Sequence, residues 1–433
     1  GGGGGGGGWG HKTRRGCVMP RITYKSLPAT RGFWTVFLAL GALLLIGLVC
    51  ALVMETAGHV VTGMNNQIVW GMPHVFAVFL IVAASGALNV ASIASVFQRA
   101  PYKPLAPLSA LLAIGLLVGG LVVLVLDLGR PDRLLVAMTT YNFKSIFAWN
   151  IFLYVGFLGV AGFYLWFLLE PRLARIAKPA GLVAFLWRLV LTTGTGSIFG
   201  FLVARQAYDA AIMAPLFIVM SFSFGLAIFT LVLLAACRAD GRPLGEELLG
   251  RLGRLQAIFV AVVLYFTAVQ HLTNLYAAEH AGIERFILLD GGVFTALFWL
   301  GQVLIGGVLP LVLLLHGGSG AWGAWSGRLL AAGLLVVVGG LTQVYVIIIG
   351  GQAFPLVLFP GRQVSSSFFD GVVNGYVPSG LEIGLGIGGI ALALVIVQLG
   401  LGLLQLLPES LADTAPESPL EPEPEPEAAT AEP

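Results

Sequence analysis

Histidine and amide side chains suited to acid–base chemistry stand near the ends of long apolar runs. His74 follows Pro73 in WGMPHVFAVFLIV, and His271 lies three residues before Asn274 in VQHLTNLYAAEH. Residues three or four apart share one face of a helix, so His271 and Asn274 are expected to be neighbours. A histidine beside an amide can hydrogen-bond a carbonyl oxygen and transfer its proton. The reduction of a quinone requires these steps, although interfacial packing of His74 and interhelical hydrogen bonding by His271 remain open as simpler interpretations.

A dense polar stretch, LDLGRPDRLLVAMTTYNFKSIFAWN, interrupts the apolar sequence at residues 126–150. Asp127, Arg130, Asp132 and Arg133 fall within seven positions, although only 10% of the chain is charged. One interpretation is a structural knot of ion pairs that caps two helices. The other is that Asp127 and the two arginines conduct protons or form the surface where a partner docks. Charged groups beside spanning segments are expensive, which favours a functional role.

The composition is that of a polytopic membrane protein. Of the 433 residues, 58% are hydrophobic, and the mean hydropathy is +0.93. This excess is far above that of soluble domains. The three cysteines, Cys17, Cys50 and Cys237, form no CxxC motif, so the protein is not expected to hold an iron–sulfur cluster or a structural zinc by itself. The lipid bilayer and other protein subunits are the expected partners, and nucleic acid is not.

Ten apolar segments have the length that a membrane-spanning helix needs. They run at about 33–54, 73–97, 105–126, 145–168, 182–203, 213–236, 255–277, 292–315, 329–350 and 381–407. The sequence therefore predicts an all-α integral membrane protein with ten transmembrane helices. Three regions follow: a cytoplasmic segment at 1–32 with a poly-glycine start, a membrane domain at 33–407, and a disordered Pro/Glu-rich cytoplasmic tail at 408–433.

The distribution of lysine and arginine predicts that both termini are cytoplasmic. Of 23 such residues, sixteen fall on the side of the N-terminus, six on the other side, and Arg188 within a helix, where it is expected to snorkel towards the cytoplasm. In this topology the polar residues gather at the outer, periplasmic ends of the helices. They are His74, the stretch from Asp127 to Tyr141, Arg205, Tyr208, Asp209, Gln270, His271, Asn274, Glu279 and Glu382.

The polar stretch resembles a pattern of the NrfD/PsrC family, the membrane subunits related to that of polysulfide reductase. Its residues are Leu128, Gly129, Arg130 and Pro131, followed by Ser145 and Trp149. WGMPHVFAVFLIVAASGALN and TGSIFGFLVARQAYDAAIMAPLFIVMSFSFGLA add to the resemblance, which covers about residues 34–407, although Gly194 stands where the family has a tyrosine. HLTNLY and GGVFTALFWLGQVLIGGVLPLVLLL are most similar to one branch, the P subunits of the transmembrane complex associated with dissimilatory sulfite reductase.

The resemblance implies two similar four-helix bundles, helices 2–5 and 6–9, with helices 1 and 10 at the flanks. It implies a menaquinone or ubiquinone site near the outer face, and no haem or iron–sulfur cluster in this protein. By position, His74 matches the family's quinone-binding histidine, and either Tyr141 or Tyr154 its tyrosine. The implied partners are a ferredoxin-like iron–sulfur subunit on the periplasmic face and cytochrome c and cytochrome b type subunits.

These observations predict a quinone/quinol-interacting subunit of a redox complex in respiratory or sulfur metabolism, located in the bacterial inner membrane. His74, Asp127, Arg130 and His271 are the expected catalytic residues, and Asn274 is an expected quinone contact with the tyrosines and histidines. The protein would act as one component of an oxidoreductase complex rather than as an enzyme alone. The alternatives are a b-type cytochrome anchor, with His74 and His271 as haem ligands, and a secondary transporter.

Overall fold

The computed structural model describes residues 23–316, 325–356 and 371–413. Within these ranges, ten helices are long and apolar enough to cross a membrane, as the sequence predicts. They are α1 (Arg31–Ala57), α2 (Met72–Ser95), α3 (Ala100–Leu126), α4 (Ile146–Leu169), α5 (Arg175–Gly200), α6 (Met213–Ala239), α7 (Glu246–Tyr276), α8 (Val293–Leu315), α9 (Trp325–Ala353) and α10 (Gly380–Leu403).

Helices α5 and α7 begin earlier than their apolar runs. The sequence predicts that α7 starts at 255, yet the helix begins at Glu246 and includes the charged residues of EELLGRLGR. Apolar composition marks only the part of a helix that lies in hydrocarbon, whereas backbone hydrogen bonding extends the helix into the polar region beyond it. The extra turns of α7 are therefore polar and lie outside the predicted apolar segment.

Eight of the ten helices form the two predicted four-helix bundles. In the first bundle α2 packs on α3, α3 on α4, α4 on α5, and α5 returns to α2. In the second bundle α6, α7, α8 and α9 pack in the same cyclic order. The bundles meet where α6 packs against α2 and α5, while α10 lies against α1 and α3. This arrangement brings the polar residues at the helix ends of the two bundles to the same end of the molecule.

Glycines allow the two bundles to approach at backbone distance. Gly86 on α2 faces Gly225 and the carbonyl of Ser221 on α6, and a Cβ at either glycine would overlap backbone atoms of the other helix. In lipid no hydrophobic drive holds helices together, so close van der Waals contact between small residues supplies much of the attraction. This contact fixes the position of one bundle relative to the other.

We expect Gly86→Ala to destabilise the protein by about 1–3 kcal/mol, because the added methyl forces α2 and α6 apart. Thermal unfolding in mild detergent would measure the loss. Gly162→Ala is the matched control, since it makes the same change within α4 where no atom lies within 4 Å of the new Cβ. Equal unfolding temperatures for the two variants would contradict this account of the bundle contact.

The flanks of the membrane domain meet at one end of the molecule. Strand β1 (Tyr24–Lys25) pairs antiparallel with β2 (Leu407–Pro408), and Glu409 accepts hydrogen bonds from Thr23 and Lys25. Pro408 and Glu409, at the start of the predicted disordered tail, thus pair with the segment before α1, and Leu411 hydrogen-bonds to Pro243 and Gly245 before α7. The poly-glycine start, the four basic residues before 22, Arg362 and the remaining tail from 414 lie outside the described residues. Which side of the membrane this end faces stays a prediction.

Candidate functional site

The predicted site residues lie at one end of the helices, here called the site face, where α2, α4, α6, α8 and α10 begin. His74 is in the first turn of α2, Asp127 directly follows α3, and His271 is near the end of α7. These residues form two clusters, one in each bundle. We call them the His74 cluster (His74, Asp127 and Trp70) and the His271 cluster (His271, Asn274 and Glu284).

In the His74 cluster, a histidine is placed between a carboxylate and an indole ring. Its Nδ1 lies 3.9 Å from Asp127 Oδ2, and the two side chains are 16% and 6% exposed. The imidazole stacks on Trp70 with 5.2 Å between ring centroids and 8° between planes. Asp127 Oδ1 is buried, and none of the residues that the structure describes hydrogen-bonds to it. Burying a carboxylate oxygen without a hydrogen bond costs free energy, so water or a ligand group is expected to donate a hydrogen bond to Oδ1.

Aromatic neighbours hold Trp70 in this position. Phe199 meets it edge-on at 5.8 Å, Tyr208 lies nearly parallel at 6.3 Å, and Phe147 is tilted at 6.0 Å. Trp70 stands four residues before His74, so its stacking beneath the imidazole follows from the short turn into α2. Sequence reasoning missed Trp70, although this spacing from His74 was a usable signal.

Two further polar residues of α4 lie on the same helical face as Phe147, deeper in the first bundle. Asn150 donates through Nδ2 to the carbonyls of Ile146 and Gly194, while its buried Oδ1 has no hydrogen-bond partner within residues 23–316, 325–356 and 371–413. Tyr154 is buried, with its hydroxyl 3.4 Å from Thr195 Oγ1. An asparagine within an apolar run was the signal that could have identified Asn150.

Tyr141, the other tyrosine predicted to bind quinone, precedes α4 and packs against a different face of this helix. Its ring packs against Phe143 and Phe152, at 4.7 and 5.0 Å between centroids. With Ala148 and Trp149 these residues line an aromatic pocket of about 150 Å³. Because Ala148 and Phe152 are about 100–140° around the helix from Phe147, this pocket points away from Trp70. Of the two tyrosines, Tyr154 is the one that faces the bundle interior.

The four charges of the polar stretch do not form a single knot. Arg130 and Asp132 form a bidentate pair, with N–O distances of 3.0 and 2.9 Å, and both side chains are more than half exposed. The hydrogen bonds from Arg130 lower the pKa of Asp132 below its usual range. Asp127 instead faces His74. Of the two interpretations, the ion-pair knot does not include Asp127, because its position at the end of α3 directs it into the protein.

Two residues that sequence reasoning left aside also lie near the end of α3. Glu55 Oε1, at the end of α1, and His59 Nδ1, in the following turn, are buried atoms with no hydrogen-bond partner in the described part of the chain. His59 packs against Gly129, where a Cβ would come within 2.9 Å of Nε2 and where φ is +69°. The glycine of the LGRP motif thus allows both the turn after Asp127 and the approach of His59.

The His271 cluster is organised around a buried carboxylate. Glu284 is 2% exposed, and its Oε2 lies 2.6 Å from His271 Nδ1. Asn274 Nδ2 donates to Glu284 Oε1 at 2.8 Å. Sequence reasoning placed His271 and Asn274 on adjacent faces, as observed, but singled out Glu279 rather than Glu284. Glu279 is solvent-exposed and lies 3.6 Å from His280.

A polar cavity of about 30 Å³ adjoins this cluster. Gln270, Gln302 and Gln343 line it together with His271 and Glu284. This volume exceeds what a water molecule needs, and the lining supplies several hydrogen-bonding groups. Gln302 lies within the π-helical stretch Leu297–Val308 of α8, a geometry common at functional sites.

Gln352, at the end of α9, connects the second bundle to the loop that carries Trp70. Its Oε1 accepts from the backbone N–H groups of Val69 and Trp70 at 3.0 Å, and Nε2 donates to the carbonyl of Trp70. Arg205 donates to the backbone carbonyls of Gln352 and Gln67, and burial lowers the pKa of its guanidinium. The predicted site-face residue Arg205 therefore fixes the loop before α2 rather than facing solvent.

Glu382 has a similar structural role at the start of α10. It accepts hydrogen bonds from the backbone N–H groups of Gly63 and Ser379 and from the Tyr376 hydroxyl. Tyr376 in turn accepts from the Met72 N–H at 2.6 Å. Burial and the neighbouring Glu382 raise the pKa of Tyr376, which keeps its hydroxyl protonated as a donor. This network fixes the first residue of α2, two positions before His74.

The position of Arg188 differs from the snorkelling position expected from the sequence. It is 0% exposed rather than snorkelling to the membrane surface. Its guanidinium lies between the rings of Phe185 and Phe222, at 4.9 and 5.0 Å, and donates to Asn89 Oδ1. Nε and Nη1 have no hydrogen-bond partner. The packed α2, α5 and α6 surround the side chain, so the polar surface lies beyond its reach.

Comparison with known proteins agrees with this architecture. The family model described as "Polysulphide reductase, NrfD" matches residues 60–356, which is more than half of the chain. The chain belongs to this family. The matched NrfD region contains both clusters and both four-helix bundles.

Three curated proteins are similar to this protein in sequence over most of its length. The protein is 30% identical to the Hdr-like menaquinol oxidoreductase integral membrane subunit of Archaeoglobus fulgidus, over 80% of its own length and 87% of the relative. It is 28% identical to a Halobacterium salinarum protein named as a dimethyl sulfoxide reductase membrane subunit, over 86% of its own length and 91% of the relative. It is 26% identical to a polysulfide reductase polypeptide of Wolinella succinogenes, over 67% of its own length and 96% of the relative. These relatives are named as parts of larger oxidoreductases.

Proposed function

We propose that this NrfD-family protein is a quinone/quinol-interacting membrane subunit of a multisubunit redox complex. It exchanges electrons between the membrane quinone pool and an iron–sulfur partner subunit. The observation that carries the proposal is the His74–Asp127 pair, with a buried and unpartnered Asp127 Oδ1 beside the stacked Trp70. The name of the menaquinol oxidoreductase relative supports a quinol as the substrate class.

Quinol oxidation releases two electrons and two protons, so the site must bind a hydroxyl and accept its proton. With Nδ1 directed at Asp127, His74 has Nε2 available to accept a hydrogen bond from a quinol hydroxyl and then its proton. The Asp127 carboxylate, whose Oδ2 lies 3.9 Å from Nδ1, stabilises through its charge the imidazolium cation that forms. Asn150 Oδ1 and the Tyr154 hydroxyl, deeper in the same bundle, are further polar groups for the headgroup or for bound water.

The His271 cluster is assigned to proton transfer rather than to quinone stacking. Its cavity of about 30 Å³ is too small for a quinone ring but accepts water. Glu284 orients His271 and Asn274, and the glutamines around the cavity offer hydrogen bonds to a water that carries the proton. This role differs from the quinone contact predicted for His271 and Asn274 from the sequence, and it keeps the catalytic role predicted for His271.

The exposed Arg130–Asp132 pair is assigned to the docking surface of the iron–sulfur subunit. The pair lies on the site face close to Asp127, and in solvent such a pair adds little to stability. The same proposal assigns the site face to the periplasmic side of a bacterial inner membrane, with cytochrome c and cytochrome b type subunits in the complex. The predicted sulfite-reductase-associated branch would fit this assembly.

A direct test uses the native complex purified in mild detergent and the membrane subunit purified alone. We expect menadiol, a soluble menaquinol analogue, to reduce the partner iron–sulfur clusters in the complex. The isolated subunit should bind menadione and show no haem band in its visible spectrum. A haem band in the isolated subunit would establish the cytochrome alternative, and an absence of menadiol-dependent reduction in the intact complex would refute the proposal.

A further inference from the structure

A layer of ionisable side chains lies across the site-face ends of three helices. One turn deeper, the three helices contribute residues to one cluster of buried apolar side chains. These residues are Ala51 of α1, Ala77 of α2 and Val123 of α3. Glu55 is four residues after the first of them, Asp127 is four after the third, and His74 is three before the second. Residues three or four apart share one face of a helix, so the packing of the apolar cluster brings the ionisable side chains together above it.

Three atoms in or beside this layer are buried and have no hydrogen-bond partner among the described residues. They are Glu55 Oε1, His59 Nδ1 and Asp127 Oδ1. His59 follows Glu55 by four positions, and its Nε2 lies against Gly129, two residues after Asp127. Buried polar atoms are normally hydrogen-bonded, either by protein groups or by bound water. Two carboxylates and an imidazole that lack hydrogen bonds in one region are therefore expected to share bound water.

This group of side chains extends from the protein interior to the surface of the site face. The Asp127 side chain is 6% exposed, whereas Glu55 and His59 are partly exposed. Asp132 raises the pKa of Arg130 through hydrogen bonds and charge, and the charge of Glu55 raises it further. The Glu55 carboxylate is therefore close to an arginine that extends into solvent. Exposure increases from Asp127 towards Glu55 and His59, as it would along a path to the surface.

Ion pairing with Arg130 gives only a partial reason for the position of Glu55. The Arg130 guanidinium already donates two hydrogen bonds to the Asp132 carboxylate, at 3.0 and 2.9 Å. Glu55 Oε1 accepts no hydrogen bond from it or from any other described residue. This oxygen and the buried His59 Nδ1 are therefore left to water, as is Asp127 Oδ1. Groups that both accept and donate protons, joined by water, form a route along which a proton can move.

We propose that Glu55 and His59 carry to the site-face surface the proton that His74 accepts from the quinol. The inference rests on the quinol oxidation proposed above. The His74 imidazolium loses its Nδ1 proton, and Asp127 gains this proton through a bound water, because 3.9 Å is too long for a direct hydrogen bond. The Asp127 carboxyl then passes the proton through water to Glu55 or His59, which release it to solvent. Only N–H and O–H bonds break and form, and the imidazole regains its starting tautomer by exchanging protons with water.

Glu55→Gln and His59→Ala, each made in the native complex, test this exit. Both should slow menadiol-dependent reduction of the iron–sulfur partner about tenfold or more, since a positioned proton-transfer group contributes about 10²–10⁴-fold. The ratio of the rates in H₂O and D₂O should rise, because proton release becomes rate-limiting. Added imidazole should restore part of the rate of His59→Ala, since it can accept a proton where the side chain is missing. A slower His59→Ala with an unchanged isotope effect and no response to imidazole would show a structural role and overturn the proposal.

Glu279→Gln and His316→Ala are the matched controls, because they make the same changes in exposed residues outside both clusters. Their rates and isotope effects should equal those of the wild type, and unfolding temperatures verify that all four variants fold. Suppose that menadiol reduces the wild-type complex, and that Glu55→Gln and His59→Ala match it in rate and isotope effect. The exit is then wrong, while the quinol site stands. A wild-type complex that menadiol does not reduce would refute the proposed function itself, and this inference with it.

Discussion

His74→Ala is expected to slow menadiol-dependent reduction of the iron–sulfur partner by about 10²–10⁴-fold, while the complex still assembles. The substitution removes the group that accepts the quinol proton and leaves Asp127, already short of one hydrogen-bond partner, without its neighbour. The effect should appear mainly in kcat, because proton acceptance is needed in the transition state more than in binding. Stopped-flow reduction of the complex at several menadiol concentrations would separate kcat from KM.

His316→Ala provides the control for this experiment. His316 follows the end of α8 at the opposite end of the helices and is exposed, so its loss should leave the rate unchanged. Size-exclusion chromatography and the unfolding temperature would show that both variants retain the partner subunit. If His74→Ala keeps the wild-type rate in an intact complex, His74 has only a structural role, stacked on Trp70, and the quinol site must be sought elsewhere.

The membrane architecture could be predicted almost completely from the sequence. Long apolar runs fix the number of helices, because a polypeptide in lipid has few ways to satisfy its backbone. The close contact at Gly86 could not be predicted, since glycine is frequent throughout the sequence and its partner on α6 lies far away along it. The predicted starts were wrong for α5 and α7, because the first turns of both helices are polar.

The sequence singled out some residues of the two clusters and missed others for one reason. His74 and His271 were found because ionisable groups near spanning segments stand out. Glu284 was not found, because sequence cannot show which of two acidic residues after α7 turns inward. Glu279 and Glu284 differ in exposure, and only the short helix Ala281–Arg285 directs the second towards His271.

A second limit of the sequence concerns charged residues that are close together along it but not in the structure. Proximity in sequence left open a knot of ion pairs among Asp127, Arg130, Asp132 and Arg133, but the turn at Gly129 lies between Asp127 and the other three residues. Asp127 points towards His74, whereas Arg130 and Asp132 extend into solvent. Arg188 shows the same limit, because snorkelling depends on a free path to the surface that packing between helices removes. Both outcomes were set by tertiary contacts rather than by local pattern.

Glu284→Gln is expected to lower the quinol-dependent rate by about 10²-fold or more, because the amide cannot accept hydrogen bonds from both His271 and Asn274. The carboxylate offers two acceptor oxygens, whereas the amide replaces one of them with a donor that faces a donor. His271 then loses its fixed orientation towards the polar cavity. Steady-state kinetics in H₂O and D₂O would report the change, and the solvent isotope effect should rise as proton transfer becomes rate-limiting.

Glu279→Gln is the matched control, since it makes the same chemical change in an exposed residue of the same loop. Its rate and isotope effect should equal those of the wild type. A structural role for Glu284 predicts a different result: a lower unfolding temperature with an unchanged isotope effect. Combining Glu284→Gln with His74→Ala gives a further distinction, because two residues that act in one proton path have effects that do not add. Strictly additive losses would assign the His271 cluster to a process separate from quinol oxidation at His74.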